Sequence, residues 1–199
     1  MRDKYGVIQD NYCYLNSDVL VNKLNIKEHD NLAEAELAFT AVRYIEYSST
    51  ITSINQFNLS HLQQLHFQLF QDIYDWAGEI RKVDIAKGTT RFCTCSRIEA
   101  ETQKQLSRIP LLLNSTTQEK LIAELADIFC ELNIIHPFRE GNGRTQRFFF
   151  EELYFFLGMN ITWPDISKGE WVQANVNGYN GDLSSLEAIL REAISDNPL

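Results

Sequence analysis

The stretch His136-Pro137-Phe138-Arg139-Glu140-Gly141-Asn142-Gly143-Arg144-Thr145-Gln146-Arg147 constrains this chain more than any other. It is polar and glycine-bearing, yet it joins two strongly apolar segments. Before it, Leu121, Leu125, Ile128, Leu132 and Ile135 recur at helical spacing. After it come Phe148, Phe149, Phe150, Leu153, Tyr154, Phe155, Phe156 and Leu157, apolar nearly all round. That second segment predicts a buried helix at the centre of a domain. A polar loop between two buried helices is costly unless something satisfies its backbone and side chains.

The loop is equipped to do so. Pro137 disfavours helical geometry at His136, so the first helix ends there. Gly141 and Gly143 bracket Asn142 and allow a tight turn and a close backbone approach. A second helix starting near Gly143 points its free N–H groups into the loop, which makes an anion site by geometry and dipole. Arg144 and Arg147, three apart, share one helix face, and two guanidiniums beside free amides suit a polyphosphate. Glu140 is a candidate magnesium ligand. His136 is the natural proton acceptor near neutral pH. Singly, each has a bland explanation, as a cap, a solvated face or an ordinary turn. A base, a carboxylate, two glycines and two arginines within twelve residues do not assemble readily by chance.

The rest of the chain reads as helices. Ser17 is a candidate cap for a short helix through about Leu24, and Asp30 caps a longer one to Ser48 whose buried face is Leu32, Ala35, Phe39, Val42 and Ile45. Ser60 caps a helix to about Trp76 on the stripe Leu62, Leu65, Leu69, Ile73 and Trp76, with His61 and His66 as ordinary helix residues. Val83, Ile85, Phe92 and Cys93 around Lys87-Gly88-Thr89-Thr90 predict a β-hairpin within about 80–95. A helix from Ser96 is stopped by Pro110, and Thr117 starts the one that delivers His136. Gly158 closes the central helix. Helices from Ser167 to about Val176 and from Asp182 to about Ser195 complete an all-α chain with one hairpin.

Hydrophobic residues make up 44% of the 199, enough for one domain with a real core. A formal net charge of −9 argues against nucleic acid and against an anionic membrane surface. Arg139, Arg144 and Arg147 would still supply a local basic pocket. The start lacks an apolar leader core, and no run is long enough to span a bilayer. Cys13, Cys93, Cys95 and Cys130 are scattered and read as reduced structural thiols.

His136 to Arg147 resembles the Fic motif, H-P-F-x-[D/E]-G-N-G-R-x-x-R, at every specified position. Gln71-Asp72-Ile73-Tyr74-Asp75-Trp76-Ala77-Gly78-Glu79-Ile80-Arg81, Val83-Asp84-Ile85, Asn175, Gly178 and Gly181-Asp182-Leu183 are similar to standalone bacterial Fic proteins. The resemblance implies a single Fic domain over 1–199, a helical bundle whose hairpin is a flap that aligns the target by adding a strand. It implies a protein adenylyltransferase, transferring AMP from ATP to a Tyr, Thr or Ser hydroxyl. His136 would be the base and Glu140 the Mg2+ ligand. Gly141, Asn142 and Gly143 would line the anion hole. Arg144 would bind the terminal phosphates and Arg147 the more internal ones, while Phe138 anchors the nucleotide loop and Arg139 has no assigned role. The adenine pocket would lie near Asn175 to Asp182, with Trp171 or Tyr179 stacking. Gly143 stands where the phosphorylating branch has Lys and leaves room for the β- and γ-phosphates.

Self-inhibited relatives carry [S/T]-x-x-x-E-[G/N], whose glutamate pairs with a motif arginine, here Arg144. In this chain only Ser115 has a glutamate four residues on, Glu119, and Lys120 follows it. The resemblance therefore implies a separate small helical antitoxin that supplies the inhibitory glutamate. It also implies a bacterial cytoplasmic toxin, with targets such as the ATPase subunits of type II topoisomerases. Transfer of UMP, GMP, phosphocholine or a phosphoryl group, and a non-enzymatic binding module, remain the alternatives.

Overall fold

The computed structural model describes residues 11–88 and 90–195. Residues 1–10 of the expected amino-terminal arm, and Thr89 of the expected hairpin turn, lie outside the described residues. Two helices at the centre carry the motif loop between them: α4 (Gln118–Ile135) and α5 (Asn142–Phe156). Thr117 caps α4 by accepting from the Lys120 N–H. Its face Ile122, Leu125, Ile128, Phe129 and Leu132 is buried, at the helical spacing the sequence shows.

Around this pair lie α1 (His29–Ile45), α2 (Leu59–Phe70), α3 (Ile98–Leu106), α6 (Lys168–Tyr179) and α7 (Ser184–Ala193). α2 packs on α5 and on α1, while α3, α6 and α7 pack on α4. α5 buries Phe148, Phe149, Phe150, Leu153 and Tyr154, and turns only Phe155 strongly outward. The hairpin strands are short: β1 (Ala86–Lys87) pairs antiparallel with β2 (Thr90–Arg91), with Ala86 opposite Arg91. Val83, Ile85 and Phe92 form a small apolar cluster beneath it.

Several elements differ from expectation, each for a local reason. No helix forms at 17–24. Instead Ser17 and Asn22 side chains take up the Val19 and Ile26 N–H groups, the competition with helix that these residue types provide. α2 begins under Asn58, which accepts from the His61 N–H, and ends at Phe70 rather than Trp76. Pro110 does not stop α3, which ends at Leu106; it sits in the first turn of a short 3-10 helix, Ile109–Asn114, where a missing N–H costs nothing. α6 runs on through Asn177 and Gly178 to Tyr179 because Gly178 lets the helix lie against Cys130 and Leu186. α7 gives way to β4 (Ile194–Ser195), which pairs with β3 (Asn160–Ile161).

The largest departure is α1. Its buried residues are Leu32, Glu36 and Thr40, whereas Leu37 is 69% and Ile45 79% exposed. The Thr40 hydroxyl is satisfied by the Glu36 carbonyl at 2.7 Å. The Glu36 carboxylate is held by partners distant in sequence.

Candidate active site

His136 is the C-cap of α4 and lies in the left-handed region, φ 51° and ψ 65°. For a residue with a side chain this conformation costs on the order of 1–2 kcal/mol. Surrounding contacts hold it. The His136 N–H bonds Leu132 O at 3.0 Å, and its ring lies flat on Phe92 with centroids 3.9 Å apart. Ring Nδ1 donates to Asn133 O at 3.1 Å, which makes Nε2 the lone-pair nitrogen of the neutral imidazole. Burial is the main reason its pKa falls to about 4, so the ring is a neutral base at pH 7.

The loop is stapled from within. Asn142 Oδ1 accepts from the Phe138 N–H at 2.8 Å, and its Nδ2 donates to Phe138 O at 2.7 Å. Gly141 has φ +78°, and a Cβ there would fall 2.3 Å from the Phe70 ring, so only glycine fits. The Thr145 N–H makes its helical bond to Gly141 O at 3.0 Å. The amides of 142–144 therefore form the leading edge of α5. A Cβ on Gly143 would meet only the Arg147 guanidinium at 3.7 Å, so space is open there.

A histidine read from sequence as ordinary proves to organise this loop. His66 is fully buried on α2, stacked on Phe138 at 3.9 Å. Its Nδ1 accepts from the Gly78 N–H at 2.7 Å, which leaves Nε2 to donate to Glu140 O at 3.0 Å. Burial lowers its pKa to about 3. Its place on the Leu62, Leu65, Leu69 stripe was the available signal.

The two arginines have unlike surroundings. Arg144 pairs with Glu36 of α1 and lies over the Phe70 ring at 4.7 Å, with Glu140 Oε1 3.8 Å away. The Tyr74 hydroxyl donates to the other oxygen of Glu36. Burial and that carboxylate push the Tyr74 phenol well above its usual range. Arg144, expected to await an external glutamate, thus already has one from its own chain. Arg147 lies over Trp171 at 5.9 Å, and burial lowers its pKa. Glu119 pairs instead with Arg191 of α7.

A cavity of about 590 Å³ gathers His136, Glu140, Gly141, Asn142, Gly143, Arg144 and Arg147. The hairpin contributes Lys87, Gly88, Thr90 and Phe92; α6 contributes Lys168, Trp171, Val172, Asn175, Val176 and Tyr179. Lys87, Lys168 and Phe92 were not singled out from sequence as site residues. Phe138, expected to anchor the nucleotide loop, is buried beneath His66 and does not line the cavity. One expectation needs correction: Arg139 is not part of the basic pocket. It is 1% exposed, with its guanidinium toward the Tyr12 ring and Cys13. Glu140 is 8% exposed and on the cavity wall. Among the described residues no group of three or more His, Cys, Asp or Glu could hold a metal by itself. One carboxylate facing a phosphate site fits magnesium, which takes its other ligands from phosphate and water.

Among the described residues, seven α-helices form a bundle in which a histidine-ended helix and the amino-terminal end of a second helix face one cavity. The Fic/DOC family model matches residues 56–154. The chain is 41% identical to the probable protein adenylyltransferase Fic of Salmonella typhimurium, over 98% of both chains. It is 34% identical to the protein adenylyltransferase VbhT of Bartonella schoenbuchensis, over 97% of this chain and 41% of that one. The crystal structure of the N-terminal Fic domain of a putative cell filamentation protein from Bartonella quintana, with bound ADP, superposes with a TM-score of 0.83. It is 26% identical over 93% of this chain and 94% of that chain. The chain belongs to the Fic/DOC family. No helix among the described residues is long and apolar enough to cross a membrane.

Proposed function

We propose that this chain is a protein adenylyltransferase that moves AMP from ATP to a Tyr, Thr or Ser hydroxyl of a target protein. The observation that carries the reading is the cavity that joins the neutral His136 ring to the α5 amides and two arginines. The relatives' adenylyltransferase activity and the ADP bound to the Bartonella quintana domain support it.

In this reading His136 Nε2 takes the target hydroxyl's proton. The hydroxyl oxygen bonds to the α-phosphorus, the bond from that phosphorus to the bridging oxygen breaks, and pyrophosphate leaves. Positioned proton transfer contributes ~10²–10⁴-fold. Amides at Gly141, Asn142 and Gly143, with Arg144 and Arg147, stabilise charge on the phosphates, the larger share of such catalysis. Glu140 would hold magnesium, which when bound neutralises charge between phosphate oxygens. Trp171, Asn175 and Tyr179 would receive the adenine, and the hairpin would align the target backbone by strand addition.

The same reading makes the chain a cytoplasmic toxin held in check by a small helical antitoxin. A groove lined by Leu37, Ala41, Tyr44, Arg144, Arg147 and Glu151 supports this partner. It offers an apolar helix face beside both motif arginines. Because Arg144 is already paired with Glu36, the antitoxin's glutamate would meet Arg147. ATPase subunits of type II topoisomerases are the proposed targets, on family resemblance alone.

The test uses purified protein, magnesium and a bacterial lysate with ATP labelled at the α- or the γ-phosphate. Label passing to a lysate protein from the α position only, and lost in His136→Ala, is expected. Transfer from the γ position would establish phosphorylation instead. Silence with every nucleotide donor would favour a binding module.

A further inference from the structure

Arg81 lies at the root of the hairpin, outside the motif, with 1% of its surface exposed. Its Nε donates to His136 O at 2.8 Å, and its Nη2 to Ile135 O at 3.2 Å. On the other side Nη1 donates to Val83 O and Nη2 to Cys93 O, each at 2.5 Å. Its own N–H reaches Pro137 O at 2.9 Å. One planar guanidinium therefore bonds both legs of the hairpin and the last turn of α4. Two neighbouring contacts follow the same line. The Cys93 N–H bonds Ile134 O at 3.1 Å, and Phe92, one residue before Cys93, carries the ring that stacks on His136.

The chemistry suits the place. The carbonyls at the end of α4 carry the negative end of the helix dipole, where a cation is favoured. A rigid fork with five donors can serve carbonyls on both sides, which a lysine ammonium cannot do with the same geometry. His136 also needs external support, since its backbone is left-handed.

We propose that Arg81 is the positioning residue that fixes the flap relative to the His136 imidazole, and so sets the distance between the aligned target and its base. This rests on the adenylyl-transfer reading. In the proposed reading the phosphates lie at the start of α5 and the adenine on α6, whereas the bonds above tie Arg81 to α4 and the hairpin. Its removal is therefore expected to spare nucleotide binding while damaging target alignment and proton transfer.

The experiment compares the whole chain with Arg81→Lys, Arg81→Gln and Phe92→Leu. The acceptor is the principal lysate protein that takes label from α-labelled ATP. For each folded variant, ATP affinity is measured by calorimetry, kcat and target KM by label transfer, and the His136 ring by NMR titration. Arg81→Lys is expected to lower kcat about 10- to 100-fold, as loss of bonds from a charged donor implies, and to raise target KM, with ATP affinity within a factor of about two. Phe92→Leu should move kcat and target KM in the same directions by less. In Arg81→Gln the His136 pKa should rise from about 4. Burial, Glu140 and Lys87 also act on that ring; they remain in every variant, so the change reports Arg81. Wild-type kcat and target KM in folded Arg81→Lys would overturn the proposal. So would losses of ATP affinity that parallel the losses of kcat. Should the Gln variant fail to fold, Arg81→Lys and Phe92→Leu decide alone. If the wild-type chain transfers no AMP, the functional reading fails on its own. The His136 ring signals in Arg81→Lys then decide the positioning claim, which is sunk if they match wild type.

Discussion

The motif loop and helix α1 meet at one ion pair but are built on opposite rules. The loop closes on itself through partners close in sequence, Asn142 with Phe138, Thr145 with Gly141 and His136 with Asn133, and His66 and Arg81 brace its backbone carbonyls from outside. α1 is held by partners far away. Glu36 is fixed by Tyr74, 38 residues on, and by Arg144, 108 residues on. In consequence the loop presents its chemistry at positions a motif can display. α1 buries Glu36 and Thr40 beside Leu32 and exposes Leu37, Phe39, Val42 and Ile45. Local closure can be read from a short string, whereas a buried charge is intelligible only with its partners in view.

The sharpest way to break the comparison is Gly141→Ala. The added methyl would fall 2.3 Å from the edge of the Phe70 ring, at a backbone angle that disfavours it. A stability loss of ~2–3 kcal/mol is expected from strain and overpacking together. Displacing the loop by about 1 Å should cost ~10²-fold in transfer. Thermal unfolding and α-label transfer check the two separately. Wild-type activity in this variant would mean that the loop's geometry does not depend on its close fit against Phe70.

Glu36→Gln tests the long-range half. It keeps the shape but removes the charge that pairs Arg144. A destabilisation of ~1–3 kcal/mol is expected for a charged hydrogen bond, toward the lower end because Arg144 is partly exposed. The double variant with Arg144→Gln should lose less than the sum of the two single changes. Additive losses would show that the pair contributes nothing.

Much of this was readable beforehand. The α4–loop–α5 unit, the hairpin's position and the residues brought to the cavity follow from helical period, Pro137, the glycines and the motif itself. The misread parts share one cause. Leu32, Ala35, Phe39, Val42 and Ile45 form a plausible apolar stripe, and only Tyr74 and Arg144 explain why Glu36 goes inward. Arg81 and His66 serve backbone atoms of the loop, so their partners carry no side-chain signature.

Acid titration separates the two regions by a third route. His66 and His136 are held neutral in the fold, with pKa values of about 3 and about 4 against an ordinary 6.5. The unfolded chain takes up these protons first, so stability is fully present above about pH 6.5 and is lost as pH falls toward these lower values. The slope approaches ~1.4 kcal/mol per pH unit for each group. His66→Gln, whose amide can accept from Gly78 and donate to Glu140, should flatten that slope. Denaturant unfolding between pH 7 and pH 4 reads it directly, and an unchanged slope in this variant would remove His66 from the account.

The smallest effect on the fold should come from the outward face of α1. Leu37→Gln changes a side chain that is 69% exposed and touches none of the bonds that hold Glu36. Stability should stay within about ±0.5 kcal/mol of wild type, as for surface substitutions generally, and α-label transfer should be unaltered. If that face receives a helical antitoxin, the same change should weaken its inhibition, because Leu37 lines the groove beside Arg144 and Arg147. Arg147→Ala separates the charge contribution from the apolar one, since it removes the proposed partner of the inhibitory glutamate and leaves the groove's α1 wall intact. A large stability loss in Leu37→Gln would instead mean that α1 depends on its apolar side after all, and the contrast with Glu36 would fail. Because Arg147 also serves the phosphates, antitoxin binding is the readout for that variant: binding unchanged by Leu37→Gln but lost in Arg147→Ala would place the antitoxin on the arginine without the helix face.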